Sequence, residues 1–170
     1  MILEPDIPRL LVIGGTGFIG HHLLRSVILK GWAVTSLSLS PPSASRKVEG
    51  VRYLTIDFTD PSAFSRELPS CEFEYVVNLG GYIDHKPFFS GGNQVISAHF
   101  GALQHLISCL SRVSLRRFIQ IGSSDEYGNA PAPQHEELRE QPISPYSFAK
   151  VACTHFLQML HRTENFPAVI

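Results

Sequence analysis

The sequence predicts an α/β protein, a doubly wound parallel sheet in a three-layer α/β/α arrangement with strand order 3-2-1-4-5-6. Three observations carry that expectation. Short apolar runs alternate with amphipathic runs along the chain, which implies parallel strands joined by right-handed helical crossovers. The first apolar run stops at a glycine cluster and a helical pattern follows at once. The composition is that of a packed domain: 170 residues, 44% hydrophobic and 17% charged, enough for one real core.

In chain order, Arg9 to Ile13 reads as strand one. Phe18 to Lys30 reads as a helix, with Phe18, Ile19, His22, Leu23, Ser26, Val27 and Lys30 near helical spacing and Gly31 as its stop. Ala33 to Leu39 and Val51 to Ile56 are strands two and three, separated by a Ser- and Pro-rich loop. Asp60-Pro61 resembles an N-cap followed by proline in the first turn, opening a short helix to about Leu68. Tyr75 to Leu79 is strand four. Asn93 to Ser111 is a long helix whose apolar side holds Val95, Ala98, Ala102, Leu103, Leu106, Ile107 and Leu110. Arg117 to Ile121 is strand five, Gly128 to Pro142 a polar loop with prolines, and Pro145 to Arg162 a helix. Strand six begins at Pro167, and the sequence stops inside it at Ile170. Residues 1–170 therefore read as a single domain.

The glycine cluster carries the first functional signal. Gly15, Gly17 and Gly20 satisfy G-x-G-x-x-G, and Gly14, Gly17 and Gly20 satisfy G-x-x-G-x-x-G. Glycines let the main chain approach a pyrophosphate closely, and the helix behind them aims free N–H groups and a positive dipole end at it. The strand before and the helix after supply the context that this motif needs. In open parallel sheets ligands bind outside the carboxyl ends of the strands, so the segments after Ile13, Leu37, Ile56, Leu79 and Ile121 should line one site. Two of them bear acid/base groups. Ser123 and Ser124 lie just past strand five, and Tyr146 and Lys150 stand at i and i+4 on the following helix, facing the same way. An ammonium beside a phenol favours loss of the phenol proton, and a serine hydroxyl can hold the substrate oxygen. Such a set suits moving a proton on or off a carbinol while a hydride moves to or from nicotinamide.

The combined motifs resemble the extended short-chain dehydrogenase/reductases, a family that includes nucleotide-sugar epimerases, dehydratases and reductases. The matching elements are Gly14-Gly15-Thr16-Gly17-Phe18-Ile19-Gly20, Asp57-Phe58, Val76-Val77-Asn78-Leu79-Gly80-Gly81, Gly122 to Gly128, and Pro145 to Lys150. The resemblance implies an NAD(P)-binding Rossmann domain acting on a nucleotide sugar. In it Gly14 to Gly20 hold the cofactor, Asp57 and Phe58 lie near the adenine, and Leu79, Gly80 and Gly81 run along the cofactor. It further implies Tyr146 as general acid/base, with Lys150 as its electrostatic partner and a ribose ligand. The catalytic serine, four residues before Tyr127, is Ser123, with Ser124 the alternative. Asp125 falls where the family's sugar dehydratases place a carboxylate, but Ser124 stands where some of them carry Asp, so an epimerase or reductase is favoured over a dehydratase. Ser124, Asp125 and His85 are candidate substrate contacts. Asp125 and Glu126 read equally well as solvated loop charges. Departures are Ala98 where the family often has Asn and Thr154 where it often has Glu. The family also continues beyond this point into a substrate-binding lobe missing here, which predicts weak or absent turnover for these residues alone. A non-catalytic dinucleotide-binding sensor or scaffold is the competing reading.

The cofactor preference follows from the stretch after strand two. NAD sites usually carry an acid there, yet no Asp or Glu occurs between Gly20 and Glu49. Ser38, Ser40, Arg46 and Lys47 suit a 2′-phosphate, so NADP is favoured over NAD. A net charge of −1 offers no footprint for nucleic acid. No apolar run is long enough to span a membrane, and the Met1–Asp6 start has no signal-peptide pattern. The three cysteines Cys71, Cys109 and Cys153 form no C-x-x-C pair, which fits a reducing cytoplasm. The eight histidines are scattered and predict no metal site. The apolar faces of the long helix and the Tyr146 helix resemble the family's homodimer surface, although core packing explains much of the same pattern.

Overall fold

The computed structural model describes residues 7–68 and 72–170; Met1–Asp6 and Cys71 lie outside them. Six parallel strands form one sheet in the order β3-β2-β1-β4-β5-β6. They are β1 (Arg9–Ile13), β2 (Ala33–Ser38), β3 (Arg52–Thr55), β4 (Tyr75–Asn78), β5 (Arg117–Gln120) and β6 (Ala168–Val169). The helices are α1 (Phe18–Ile28), α2 (Pro61–Glu67), α3 (Gly92–Ile96), α4 (Ala102–Cys109) and α5 (Pro145–Glu164). β1 is central, pairing Leu11 with Thr35 on one side and with Val76 on the other.

Alternation along β1 creates the layers. Leu10 and Val12 pack with Leu24 and Val27 of α1, whereas Leu11 and Ile13 join Leu37, Val76, Phe118 and residues of α2, α4 and α5 on the other face. All four side chains are almost wholly buried, each contributing about 1.5–3 kcal/mol of apolar transfer free energy. This two-sided burial is why the strand reads as a continuous apolar run rather than an alternating one. α2 opens as expected: the Asp60 carboxylate accepts the Ser62 N–H at 2.9 Å and the Ser62 hydroxyl at 2.7 Å.

The structure corrects the sequence reading at three points. The buried stripe of α1 is Gly20, Leu24 and Val27, while Phe18 and Ile19 are 71% and 59% exposed. The bare Gly20 is what lets the helix sit on the preceding turn, so the apolar spacing that begins at Phe18 misjudges the contact face. The long helix is continuous from Gly92 to Cys109 but passes through a π-helical segment, Ser97–Gly101, between α3 and α4. His99 lies within this segment and is buried in line with Val95 and Leu103. Finally, Glu126 is no solvated loop charge: it is buried. The apolar side of the long helix is core at Val95, Leu103, Leu106 and Leu110. No helix among the described residues is long and apolar enough to cross a membrane.

Candidate active site

The glycine turn lies at the carboxyl edge of β1. Gly14 takes a left-handed φ of +76°, and a Cβ there would stand 2.9 Å from the Leu79 carbonyl oxygen, so the turn and the exit of β4 touch backbone to backbone. The Gly14 N–H donates to the Leu37 carbonyl at 2.7 Å and the Gly17 N–H to the Gly14 carbonyl at 3.0 Å. α1 then starts with Gly17 as N-cap, no side-chain cap and no acid in its first turn. Its leading N–H groups and dipole are thus left for an anion. A cleft of about 300 Å³ opens beside this turn.

The structure sorts the sequence candidates. Gly14, Thr16, Gly17 and Ser38 line the cleft, as do Asp57 and Phe58 after β3 and Leu79, Gly80 and Gly81 after β4. Gly15 and Gly20 do not line it and are packing positions. A Cβ on Gly15 would overlap the Ser36 hydroxyl, and one on Gly20 would come within 2.5 Å of the Gly14 carbonyl oxygen. Phe18 and Ile19 sit exposed on the first turn of α1. Ser40, singled out with Ser38 for a 2′-phosphate, also lines the cleft, as do Leu39, Thr59 and Tyr82; these last three each follow a strand, so the strand-end rule contained them, but no motif marked them. Asp57 accepts the Thr59 N–H at 2.9 Å and the Thr59 hydroxyl at 2.7 Å. These bonds hold its carboxyl below the usual range and ionised at neutral pH. At the mouth, the Thr16 N–H reaches the Ser38 hydroxyl at 3.4 Å, and the Arg46 guanidinium donates to the Thr16 carbonyl at 3.4 Å.

The second group lies beyond β5. Ser123 caps the short 3₁₀ turn Ser124–Tyr127, its hydroxyl accepting the Asp125 N–H at 3.2 Å. α5 is fixed by a reciprocal cap: the Ser147 N–H donates to the Ser144 hydroxyl at 3.1 Å and the Ser144 N–H to the Ser147 hydroxyl at 2.9 Å. Pro145 occupies the first turn. One turn later, the buried Lys150 ammonium donates to the Ile121 carbonyl at 2.9 Å and stands 5.8 Å from the centre of the Tyr146 ring. The helix carrying Tyr146 and Lys150 is thereby fastened to the strand end that leads into Ser123. Burial pulls the Lys150 pKa down, with Cys153 and Glu126 opposing the shift.

Tyr146 is itself buried, its ring edge-on to His85 at 5.6 Å and to His99 at 5.3 Å. His99 was not singled out from the sequence, although it stands at helical spacing between Val95 and Leu103, because an imidazole is not counted among the apolar positions. Its Nε2–H donates to the Tyr82 carbonyl at 2.9 Å, and burial, then the nearby Lys150 charge, holds its pKa below the ordinary imidazole value. It is therefore a neutral imidazole with an unprotonated Nδ1. The His85 ring spans between the Ser144 hydroxyl (3.2 Å) and the Asp125 carboxylate (3.6 Å). His85 and Asp125 line an open cavity of about 410 Å³ with Gly128, Ile143 and Ser144. Ser124 is exposed on the 3₁₀ turn and does not line that cavity. Among the described residues no group of three or more His, Cys, Asp or Glu is placed to hold a metal ion.

A glycine turn against an uncapped helix, at the carboxyl edge of a sheet ordered this way, defines a Rossmann-type domain. The chain belongs to the NAD dependent epimerase/dehydratase family, whose profile matches residues 10–170. It is 29% identical over 180 residues to a protein from Sinorhizobium fredii described as a probable dTDP-glucose 4,6-dehydratase, covering 95% of this chain and 51% of that one. It is 29% identical over 151 residues to the dTDP-6-deoxy-L-talose 4-dehydrogenase (NAD(P)(+)) of Kitasatospora kifunensis, covering 86% and 45%. Among solved structures, the Thermus thermophilus UDP-glucose 4-epimerase complex with NAD superposes with a TM-score of 0.80 at 22% identity, covering 94% of this chain and 53% of that one. The chain spans about half the length of the relatives it matches.

Proposed function

We propose that the chain forms the cofactor-binding half of an NAD(P)-dependent oxidoreductase or epimerase acting on a nucleotide sugar. The observation that carries this reading is the Lys150–Ile121 bond, which fastens the helix bearing Tyr146 and Lys150 to the strand end leading into Ser123, at the carboxyl edge of the sheet. Gly14, Thr16 and Gly17 hold the pyrophosphate with the α1 N-terminus. Asp57 and Phe58 hold the adenine end, and Leu79, Gly80 and Gly81 form the floor. The residues fit such a group: the turn has no side chain where a Cβ would enter, and the leading N–H groups have no side-chain cap. A bound nicotinamide supplies the hydride acceptor or donor. Tyr146 takes the carbinol proton or returns it to the carbonyl oxygen, and Ser123 donates a hydrogen bond to the same oxygen. Lys150 stabilises the deprotonated phenol and holds the ribose. His85 and Asp125 contact the sugar from the open side. NADP is favoured over NAD because Ser38 and Arg46 converge on the cleft mouth beside Thr16 with no acid in the segment.

Tyr146→Phe tests the reading. With dTDP- and UDP-hexoses, read by nicotinamide absorbance for net oxidation or reduction and by NMR of the sugar product for redox-neutral epimerisation, it should lower turnover by about 10²–10⁴-fold while cofactor binding by calorimetry stays within about threefold. Equal turnover would refute the role of Tyr146. Cofactor binding without turnover in a form extended to its relatives' full length would favour a dinucleotide sensor instead.

A further inference from the structure

Glu126 is a carboxylate only 5% exposed, and a buried charge persists only where it is bonded. Its Oε1 accepts the Ser123 N–H at 2.8 Å, and its Oε2 accepts the Thr154 hydroxyl at 2.8 Å. The first bond belongs to a capping box on the 3₁₀ turn. The second is not needed by any cap: Thr154 lies 28 residues away, on α5, one turn beyond Lys150. The main chain of Glu126 is also engaged, its carbonyl accepting the Gln141 N–H at 2.9 Å. Space is tight as well, since a Cβ on Gly122 would stand 3.0 Å from Oε1.

We propose that Glu126 is a positioning residue, whose carboxylate ties the Ser123 turn to α5 so that Ser123, Tyr146 and Lys150 are held as one unit. The role of the unit rests on the function proposed above; the tie itself rests on the two bonds. It complements the Lys150–Ile121 bond, so that α5 is fastened to the β5 exit from both directions. The tie also places a negative charge close to a buried ammonium. Lys150 is faced by Glu126 from the turn, by Tyr146 and Cys153 from its own helix, by His99 from the π segment and by the Ile121 carbonyl. Glu126 is the carboxylate in that set.

Two near-isosteric variants separate the tie from the charge, and neither readout needs substrate or cofactor. Thr154→Val keeps the carboxylate but removes its bond to α5. Backbone amide exchange at Ser123, followed by NMR on the whole chain, should quicken about tenfold, as loss of one supporting hydrogen bond implies. Glu126→Gln keeps an acceptor for Ser123 and a polar partner for Thr154, so exchange at Ser123 should stay within about threefold of wild type. The same variant removes the charge, so the Lys150 midpoint, read from its ¹³Cε shift, should fall. Unchanged Ser123 exchange in Thr154→Val, or an unmoved Lys150 midpoint in Glu126→Gln, would overturn the proposal. Tyr146→Phe turnover is measured separately, so failure of the enzymatic reading leaves these outcomes distinct.

Discussion

Gly20→Ala sets two effects against each other, and the structure decides the sign. On helix propensity alone, alanine within α1 should stabilise by about 1 kcal/mol. A Cβ at Gly20, however, would stand 2.5 Å from both the Gly14 carbonyl oxygen and the Gly15 Cα, and 2.7 Å from the Gly15 carbonyl carbon. These are main-chain atoms of a turn pinned by the Gly14–Leu37 bond, so no rotamer change relieves the overlap. Ordinary contact near ~3.5 Å requires α1 to retreat by roughly 1 Å, which opens its packing against Leu10 and Val12. Overpacking of this kind costs about 1–3 kcal/mol, to which the lost helix–sheet contact adds about 1 kcal/mol. After the propensity gain the net is about 1–3 kcal/mol of destabilisation, or about 2–12 °C in Tm at 2–4 °C per kcal/mol. The assay is thermal unfolding by circular dichroism. Gly101→Ala is the control, because a Cβ there meets nothing within 4 Å on a backbone already helical at φ −60° and ψ −47°. It should leave Tm unchanged or raise it. A Tm for Gly20→Ala at or above wild type would refute the packing argument.

The remaining predictions concern charge. The Lys150 pKa is lowered on folding, so between its folded value and the unfolded value of 10.5 the unfolded chain binds more protons and stability rises with pH. The Tm of wild type minus that of Lys150→Met should therefore increase from pH 7 towards 10; a flat difference would contradict it. Glu74 accepts the Arg9 main-chain N–H at 2.8 Å and the Arg9 guanidinium at 2.6 Å, and its pKa is lowered chiefly by the Arg9 side chain. That contribution is present above the unfolded value of 4.5 and is lost as pH falls through the folded one. Glu74→Gln should thus lower Tm at pH 7 and cost progressively less as pH falls toward 3, in paired melts. Arg46→Ala should weaken NADP binding by about tenfold, a charge-assisted bond's worth, while changing NAD binding less than threefold; equal losses in calorimetric titrations would argue against a 2′-phosphate role.

The sheet was legible because its physics is local. The central strand β1 is a short apolar run buried on both faces, and local punctuation marks the helices beside the sheet, Gly31 after α1 and Asp60 before α2. Strand order followed from crossover handedness rather than from any single residue. The cleft was legible where glycine was required by backbone approach, at Gly14 and Gly17. Less visible was the division of labour within the motif: Gly15 and Gly20 carry the same letters but serve packing, which only neighbouring atoms distinguish. His99 and Glu126 were illegible for a different reason. A histidine at a core position of a helix reads as polar until its partner, here the Tyr82 carbonyl, is folded against it, and a carboxylate in a polar run looks solvated until a hydroxyl 28 residues away is folded against it.

The cleft beside the glycine turn has a further consequence for how variation is tolerated there. Several of the surfaces that meet in it, Gly14, Gly17, Gly80, Gly81 and Ala98, offer main-chain atoms and little else. A saturation mutagenesis map of this wall should therefore grade with side-chain volume, almost blind to polarity, whereas at Tyr146 and Lys150, both buried, even substitutions of matched volume should be penalised for their chemistry. The boundary between those two patterns would trace, residue by residue, where shape recognition ends and reactivity begins.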